Sequence, residues 1–550
     1  MPSVAVIGPV VLPIVAAAVI AIFGSAGIDS GRVAAGIGAF SSLAALIAVW
    51  VPIRSSVELT LGPLGYGSSF DLRIDGVTFA FGLMIAAPVA VLIGLQPRPW
   101  QQAVLSLLAL AAAMAAVEGG GAVLTAIAGG TAATLAVVLL DTEDPRAPRP
   151  SWALLLAGWL ALSWFGVILQ VGGGTAVYSA VPVATMTGPI FVLLAASALL
   201  ISCVFPWRAW PSSLWARPSL RAAAITVATI YPMGFYLLVR AYEIGDGRYP
   251  SAVFNVILAV IGIAAAFTAA ARAQAAPTRR RFLGEVIPGM GGFALMTIAL
   301  GTPLGLVAGI ILLATASAMV ACLALLPDQA GVPSLVTIGA AVGIPPGLTF
   351  GALVLGIGAT FEAGNLLGVI GLAGAATWAT WMVGGARAIG LHGGRGHPLV
   401  ETSPRFALAI GLATLVAGPA LGVMGIGFAF PVASEVMQGA AGSPTGGLTS
   451  VVTVSSVLPA VTLLAPVLII GAVAYTLAGT SSIRTQAHPA LFRLPALSPI
   501  ARIRSGIRSV AVPEQYRSIL SIRALETATT GGRPVLWLGA LIALAIAVTR

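Results

Sequence analysis

Long apolar segments follow one another along almost the whole chain, with short polar segments between them. Windows of about 18 or more apolar residues are typical of helices that cross a membrane. The pattern predicts an all-α, polytopic membrane protein with about 16 transmembrane helices. The predicted spans are residues 4–23, 33–51, 77–95, 101–117, 121–140, 153–171, 187–205, 221–240, 251–271, 287–301, 303–326, 333–357, 364–386, 406–430, 457–478 and 534–549.

Prolines interrupt two of the apolar segments. Pro206 and Pro211 flank Trp210 in the first break, and Pro345 and Pro346 form the second. Proline removes a backbone donor and clashes with the preceding turn. Because irregular backbone at membrane depth must be covered by protein or water, a broken helix is a usual place for an ion path. An ordinary loop explains the first break equally well. The two breaks, five spans apart, also favour two repeated halves.

The distribution of arginine supports this number of spans. All 27 basic residues are arginine, and 22 of them fall in the odd-numbered loops. The even-numbered loops and the termini hold the other five, which are Arg54, Arg73, Arg240, Arg248 and Arg550. Cytoplasmic loops carry the positive excess. We therefore expect a multi-pass protein of the cell inner membrane with both termini outside.

The composition excludes several classes of protein. With 58% hydrophobic and 8% charged residues, the chain lacks the charge that a soluble surface needs. The net charge of +10 lies in loops between spans and does not indicate nucleic-acid binding. Cys203 and Cys322 lie in apolar segments without metal-ligand spacing, and the three histidines are scattered. The sequence predicts no catalytic residue, no metal site and no bound cofactor, because it has no phosphate loop and no cysteine cluster.

The chain divides into four predicted regions. They are a transmembrane core at 1–430, an additional transmembrane helix at 431–483, a cytoplasmic segment at 484–533 and a terminal transmembrane helix at 534–550. In the third region the pattern EQYRSILSIRALETATT suits an amphipathic helix along the membrane surface. Packing on neighbouring subunits, or a basic linker, explains the same pattern.

Four short motifs occur in the same order, and at the same spans, as the motifs of a known family of membrane proteins. FDLRIDGVTFAF contains Asp75 and Gly76, PWRAWPSSLWARPS contains the first break, MGFYLLVR contains Gly234 and Arg240, and GIPPGLTF contains the second break. Together they resemble the antiporter-like membrane subunits of respiratory complex I (NADH-quinone oxidoreductase), multisubunit Na+/H+ antiporters and energy-converting membrane hydrogenases. The match extends loosely over residues 1–430, and the C-terminal helix and final span resemble the extension of the family's distal subunits.

The resemblance implies an antiporter-like inverted repeat inside a multisubunit complex. It implies contact with other membrane subunits and the lipid bilayer. Iron–sulfur, flavin or nickel centres, and any enzymatic activity, would then belong to partner subunits of an NADH-quinone oxidoreductase or hydrogenase complex.

The family's proton relay, however, is missing from this sequence. The resemblance implies a glutamate in the fifth span, lysines in the seventh span and in the second half, and a histidine in the eighth. The glutamate position falls near Gly130 or Thr131, and the seventh-span lysine position falls at Ile201. The histidine position falls at Thr226, and the lysine position of the second half falls near Leu353. An ionisable group in hydrocarbon is costly and normally persists because it functions. Its replacement by apolar residues indicates that the relay is lost.

Three functions are compatible with this pattern. The first is a proton-silent membrane-arm subunit that serves as scaffold, spacer or docking site for an electron-transfer module. The second is a stand-alone or Mrp-like cation/proton antiporter that uses other charges, with Arg208, Arg221 and Glu362 as candidates beside Arg217, Arg240, Glu118 and Asp75. A solvated or snorkelling charge near the interface is the commoner explanation for these residues. The third is an unrelated secondary transporter with a polar cavity, for which Ser202, Thr226, Thr229, Tyr231 and Asn255 are the candidates.

Overall fold

The computed structural model describes residues 2–437, apart from gaps at 27–30, 66–67, 97, 144–151, 205–213, 216, 218–219, 328–330, 390, 392–402 and 418–427, together with a few positions between 458 and 469. The described residues form seventeen α-helices and one two-stranded sheet, which confirms a predominantly helical, multi-pass membrane fold. The helices are α1 (Pro2–Ala5), α2 (Gly8–Ser25), α3 (Gly31–Ile53), α4 (Gly76–Leu95), α5 (Trp100–Glu118), α6 (Ala122–Glu143), α7 (Ala153–Gly173), α8 (Gly188–Ile201), α9 (Arg221–Ile244), α10 (Ala252–Gln274), α11 (Arg279–Ile298), α12 (Pro303–Leu325), α13 (Val332–Val342), α14 (Leu348–Glu362), α15 (Asn365–Ile389), α16 (Pro404–Val416) and α17 (Phe430–Val436).

Ten helices of the described part are long and apolar enough to cross a membrane. The predicted spans at 187–205, 333–357 and 406–430 contain shorter helices, namely α8, the pair α13 and α14, and α16. The predicted span at 457–478 lies mostly outside the described residues, as do the regions 484–533 and 534–550 entirely. The number of sixteen spans and the division into four regions therefore stay predictions.

The two predicted breaks differ in how much the structure describes. Helix α13 ends at Val342, Gly343 follows with a left-handed φ of 79°, and α14 begins at Leu348, so Pro345 and Pro346 lie between two helices. At the first break α8 ends at Ile201 and α9 begins at Arg221.

Most of the chain between α8 and α9 lies outside the described residues, including Pro206, Arg208, Trp210 and Pro211. Helix α9 runs to Ile244, one turn beyond the end at Arg240 that the hydrophobic pattern predicts.

A β-hairpin occupies the segment that the sequence predicts as a loop between the second and third spans. Strands β1 (Val57–Gly65) and β2 (Ser68–Ile74) pair antiparallel, with Val57 opposite Ile74. The hairpin lies against the ends of the helices: Gly120 N donates to Asp71 O at 2.8 Å, and Leu72 forms a bridge with Gly119. We call this side of the helix bundle the hairpin end.

Helix α9 is the buried centre of the bundle, and its whole apolar window is enclosed by protein. It contacts α8 most closely at Gly234, where an added Cβ atom would collide with Ser202 Oγ and with Ala198 O. The Ser202 hydroxyl donates to Tyr231 O at 3.0 Å across the same contact. Small residues let two transmembrane backbones approach closely. The glycine of MGFYLLVR therefore permits the contact between α8 and α9.

Gly234→Ala is expected to destabilise the protein by about 1–3 kcal/mol, because the new methyl group overpacks a contact with backbone. Gly130→Ala is the matched control, since its Cβ would meet nothing within 4 Å and alanine favours helix by up to about 1 kcal/mol. Thermal unfolding in detergent checks both variants. Equal melting temperatures for the two would show that the close contact at Gly234 does not exist.

Candidate functional site

Asp75 and Arg240, which belong to two of the sequence motifs, form an ion pair at the hairpin end although 165 residues separate them. Asp75 caps α4, where its side chain accepts from Thr78 N at 2.7 Å. Arg240 Nη1 donates to Asp75 Oδ2 at 2.7 Å, and Nη2 donates to Oδ1 at 3.0 Å. The exposed fractions are 0% for Asp75 and 1% for Arg240. The structure therefore buries a bidentate pair where the sequence suggested solvated charges.

Every N–H group of the Arg240 guanidinium has an acceptor. Besides the two bonds to Asp75, Nε donates to Tyr236 OH at 3.1 Å, Nη1 to Glu243 Oε2 at 2.6 Å and Nη2 to Thr78 Oγ1 at 3.0 Å. The Tyr236 ring lies 5.1 Å from the guanidinium carbon and adds a cation–π contact. Arginine has five donors in a fixed planar fork. Lysine has neither the number nor the geometry to replace it here.

A second guanidinium, Arg73 on β2, joins the pair to two further carboxylates. Its Nε lies 3.0 Å from Asp75 Oδ2, its Nη1 donates to Glu243 Oε1, and its Nη2 donates to Glu435 Oε1 at 2.9 Å. Glu435 Oε2 accepts from Gly76 N, at the start of α4, at 2.7 Å.

We call Arg73, Asp75, Arg240, Glu243 and Glu435 the ion network. It contains three carboxylates and two guanidiniums. Glu58, with a side chain 57% exposed, approaches Arg73 from the solvent side at 3.3 Å.

The electrostatics of the network keep Asp75 ionised. Burial alone would raise the pKa of Asp75, but the adjacent guanidiniums of Arg240 and Arg73 and the bond from Thr78 N lower that pKa to about 2. Hydrogen bonds and opposite charges that favour the ionised form act in this direction. Asp75 is therefore a fixed anion at any physiological pH.

The positions that the resemblance assigns to a proton relay carry no charge. Ile201 and Leu353 are buried and apolar. The Thr226 hydroxyl donates to Ala222 O of its own helix at 2.9 Å, and Thr131, near the glutamate position, is exposed and donates to Ile127 O. In the described part of the chain, every acidic or basic residue within a helix lies within seven residues of a helix end.

At the second break, side chains of α14 and α15 bind the end of α13, although Pro345 and Pro346 themselves are exposed. Trp378 Nε1, which is fully buried, donates to Val342 O at 2.8 Å, and Thr349 Oγ1 donates to Ala340 O at 2.7 Å. The backbone closes the rest of the turn, because Ile344 N donates to Gly339 O at 3.1 Å. These bonds satisfy carbonyls that the end of a helix leaves free.

The charges proposed for an alternative transport path do not meet at one site. Arg221 pairs with Glu143 at 3.3 Å at the end of the bundle opposite the hairpin, where Arg217 Nη1 also donates to Leu140 O. Glu362 is exposed at the last position of α14, and Arg208 lies outside the described residues. Glu118 differs from all of these. It is fully buried at the hairpin end, and neither carboxyl oxygen has a hydrogen-bond partner among the described residues.

The polar candidates for a substrate cavity are likewise dispersed. The hydroxyl of Thr229 donates to Ile225 O within its own helix, and Asn255 Nδ2 donates to Ala299 O at 2.7 Å. Ser202 bonds to Tyr231 O across the contact between α8 and α9. Some of these groups bond within one helix and others join two elements, and together they do not converge on a common cavity.

The sequence analysis missed three members of the ion network as site residues: Arg73, Glu243 and Glu435. Two of them had a local signal, because Arg73 stands two residues before Asp75 and Glu243 stands three residues after Arg240. Residues three apart on a helix are neighbours. Glu435 had none, since it lies 359 residues from its partner Gly76.

No protein-family model and no curated protein matches the sequence. Solved structures match it in fold. A chain of the Mrp complex from Dietzia sp. DQ12-45-1b aligns over 98% of this chain with a TM-score of 0.70 and 19% identity. This chain spans 63% of the length of that Mrp chain.

Two respiratory complexes contain similar chains. One is respiratory complex I from Thermus thermophilus, with a TM-score of 0.65 and 19% identity over 80% of this chain and 98% of that one. The other is the archaeal membrane-bound sulfane sulfur reductase, with a TM-score of 0.68 and 16% identity over 98% and 99% of the two chains. At these identities the comparisons establish the fold. It is the antiporter-like fold that the motifs predict.

Asp75→Asn is expected to destabilise the folded chain by about 3–5 kcal/mol, because it leaves the buried Arg240 guanidinium without its carboxylate partner. Arg240→Lys keeps the charge but has three donors in place of five, so it is expected to cost about 1–3 kcal/mol through acceptors left without a hydrogen bond. Glu58→Gln is the control, since this exposed contact to Arg73 contributes about 0–1 kcal/mol. Thermal unfolding in detergent measures all three. Stability of Arg240→Lys equal to that of the parent would contradict the requirement for a five-donor group.

The pH dependence of the pair follows from the lowered pKa of Asp75. The stabilisation from ionised Asp75 is fully present above the ordinary aspartate pKa of 3.8 and is lost as the pH falls towards the lowered pKa of about 2. Unfolding measured between pH 7 and pH 2 is expected to show a loss below pH 4 that is smaller in Asp75→Asn. A parallel loss in the two proteins would assign acid unfolding to other carboxylates.

Proposed function

We propose that this chain is a membrane subunit of a respiratory or antiporter-like multisubunit complex and that it conducts no protons itself. It serves as a scaffold or spacer between working subunits, or as the membrane anchor of an electron-transfer module. Its partners are other membrane subunits and lipid. Iron–sulfur, flavin or nickel centres and the redox reaction belong to partner subunits.

The observation that carries this proposal is the loss of charge at the relay positions within a retained fold. Ile201, Thr226 and Leu353 are buried, and none of them can hold a proton for transfer. A proton path through a bilayer needs ionisable groups or water between its two ends. Because the described helices have acidic and basic residues only near their ends, such a path lacks its middle section.

The hydrogen bonding at the second break supports the same function. In a conducting subunit we expect an interrupted helix to leave polar backbone facing a hydrated cavity. Here Trp378 and Thr349 bind the free carbonyls around the break. Two carbonyls at the end of α13 are therefore bonded by protein side chains and are not left free.

The arginine distribution supports an orientation for this subunit. The hairpin end carries the even-numbered loops, which have few arginines, and the opposite end carries most of the basic loops. The ion network then lies on the outer side of the inner membrane, and both termini lie on that side as well.

One observation favours the alternative of a cation/proton antiporter with residues unlike those of the family. Glu118 is a fully buried carboxyl without a hydrogen-bond partner in the described part of the chain. Buried ionisable groups without partners are costly and are found most often where they function. A transport assay therefore has to include a variant of Glu118.

Proteoliposomes that contain only this chain are expected to show no proton flux above that of protein-free liposomes when a Na+ or K+ gradient is imposed. An internal pH dye reports the flux, and Mrp-complex proteoliposomes serve as the positive control. Thr226→Val should behave as the parent, since the hydroxyl bonds only within its own helix. Cation-driven flux that Glu118→Gln abolishes would replace the proton-silent function with the antiporter.

Co-purification tests the membership in a complex separately from transport. In mild detergent the full chain is expected to be recovered from its native membrane together with several other membrane proteins, identified by mass spectrometry. Subunits with iron–sulfur or nickel centres among them would indicate a redox-driven complex. Recovery of the chain alone would contradict membership in any stable complex and would favour an independent transporter.

A further inference from the structure

A cavity of about 470 Å³ lies at the hairpin end, where three turns between helices come together. The turns join α9 to α10, α11 to α12 and α14 to α15. Each turn contributes a glycine with left-handed backbone, with φ of 83° at Gly247, 70° at Gly301 and 128° at Gly364. An added Cβ at Gly364 would meet no atom within 4 Å, so the space beside this turn is open. The volume falls in the range of about 300–1,000 Å³ that is typical of ligand sites.

Two polar side chains, those of Arg248 and Asn255, line this cavity. Arg248 is exposed, and its guanidinium forms no ion pair or hydrogen bond within the described part of the chain. Asn255 Nδ2 donates to Ala299 O at 2.7 Å, which fixes the amide in the wall of the cavity. A guanidinium is a planar fork of donors that matches the oxygens of a phosphate group. The cavity therefore offers a cationic group to a ligand that carries phosphate.

The rest of the lining is apolar and is followed by helix faces that suit acyl chains. The other side chains that line the cavity are those of Ala252, Val256, Leu300, Ala363 and Leu367. Within a few residues of them, α10 and α15 expose large apolar side chains, namely Val253, Ile257, Val260, Val369 and Leu372. Both helices are long and apolar enough to cross a membrane, and they pack on each other. Their exposed faces therefore lie in the hydrocarbon layer, next to the polar end of the cavity.

Two exposed carboxylates border the same cavity. Asp246 immediately precedes Gly247 in the first turn, and Glu362 immediately precedes Ala363 in the third. Neither carboxylate forms an ion pair with another described residue. With Arg248, the region thus holds one positive and two negative groups. A purely anionic headgroup such as phosphatidylglycerol is repelled by the carboxylates, whereas a headgroup with a phosphate and a primary ammonium group complements both signs.

We propose that this cavity binds one molecule of an ethanolamine phospholipid. The phosphate binds Arg248, the ammonium group lies at the side of Asp246 and Glu362, and the acyl chains follow the exposed apolar faces of α10 and α15. The proposal rests on the membrane fold and not on the proposed function, because a lipid site at one end of the bundle requires no proton path and no partner subunit. Its failure would leave the proposed function unchanged.

Native mass spectrometry of the full-length chain counts the bound lipid directly. The chain is purified in detergent, stripped of lipid and mixed with equal amounts of dioleoyl phosphatidylethanolamine, phosphatidylglycerol and phosphatidylcholine. A single phosphatidylethanolamine per chain is expected to stay bound under conditions that remove the other two lipids. Equal retention of the three lipids, or preferential retention of phosphatidylglycerol, would overturn the proposal. Retention of no lipid would also overturn it and would leave the cavity to a partner subunit or to another segment of the chain.

A matched pair of arginine variants tests the phosphate contact. Arg248→Ala is expected to lower the affinity for phosphatidylethanolamine about tenfold or more, because it removes a hydrogen-bonded contact between opposite charges. Arg54→Ala is the control, since Arg54 is also exposed at the hairpin end but does not line the cavity. Its affinity for the lipid should equal that of the parent. An equal loss in the two variants would assign binding to the net charge of this end and would refute the proposal.

Two further variants test the shape of the cavity and the ammonium contact. Ala252→Trp adds a large side chain at an exposed lining position, so it is expected to abolish lipid retention without lowering the melting temperature. Retention equal to that of the parent would place the lipid outside the cavity. Asp246→Asn combined with Glu362→Gln should lower the preference for phosphatidylethanolamine over phosphatidylcholine about two- to fivefold, as for exposed ion pairs. An unchanged preference would contradict the role of the carboxylates.

Discussion

The bidentate pair between Asp75 and Arg240 is the interaction on which the hairpin end of the molecule depends. Transferring two such charges out of water costs several kcal/mol per ion, and the cost is recovered only where every donor and acceptor is satisfied. This requirement explains the surrounding residues. Thr78, Tyr236 and Glu243 accept the remaining bonds of Arg240, and the capped N-terminus of α4 holds Asp75 in place. The same groups join α4, α9 and the end of β2, so one electrostatic contact determines how three elements meet.

The chain has an antiporter-like fold, but it has no charged residue at the positions where the resemblance implies a proton relay. Its fold is similar to that of chains in the Mrp complex and in respiratory complex I. Gly234 permits close packing of α8 and α9, and Gly76 admits a carboxylate of α17. Neither role involves ion movement. Packing and charge pairing therefore account for Asp75, Gly76, Gly234 and Arg240 of the motifs without any role in transport.

The sequence predicted the fold well because its signals lie within short segments of the chain or repeat along the whole of it. Apolar windows predicted most of the helices, and the proline pair at Pro345 and Pro346 predicted the interruption between α13 and α14. The site was predicted only in part. Asp75 and Arg240 were recognised separately from their motifs, but nothing in the sequence indicates that they touch. The hairpin escaped prediction because its strands are short and contain turn residues such as Pro63 and Gly65. Glu435 escaped because its role depends on a contact made only after the chain has folded.

The confinement of charge to the helix ends has an electrical consequence. A membrane potential acts on a protein through charges that lie or move within the low-dielectric layer, and each elementary charge carried across 100 mV corresponds to about 2.3 kcal/mol. The described spans hold their acidic and basic residues close to their ends, and the interior break at Val342 is closed by neutral hydrogen bonds. The field across the bilayer therefore performs almost no work on this part of the chain. In an energised membrane this part of the chain behaves as a dielectric element.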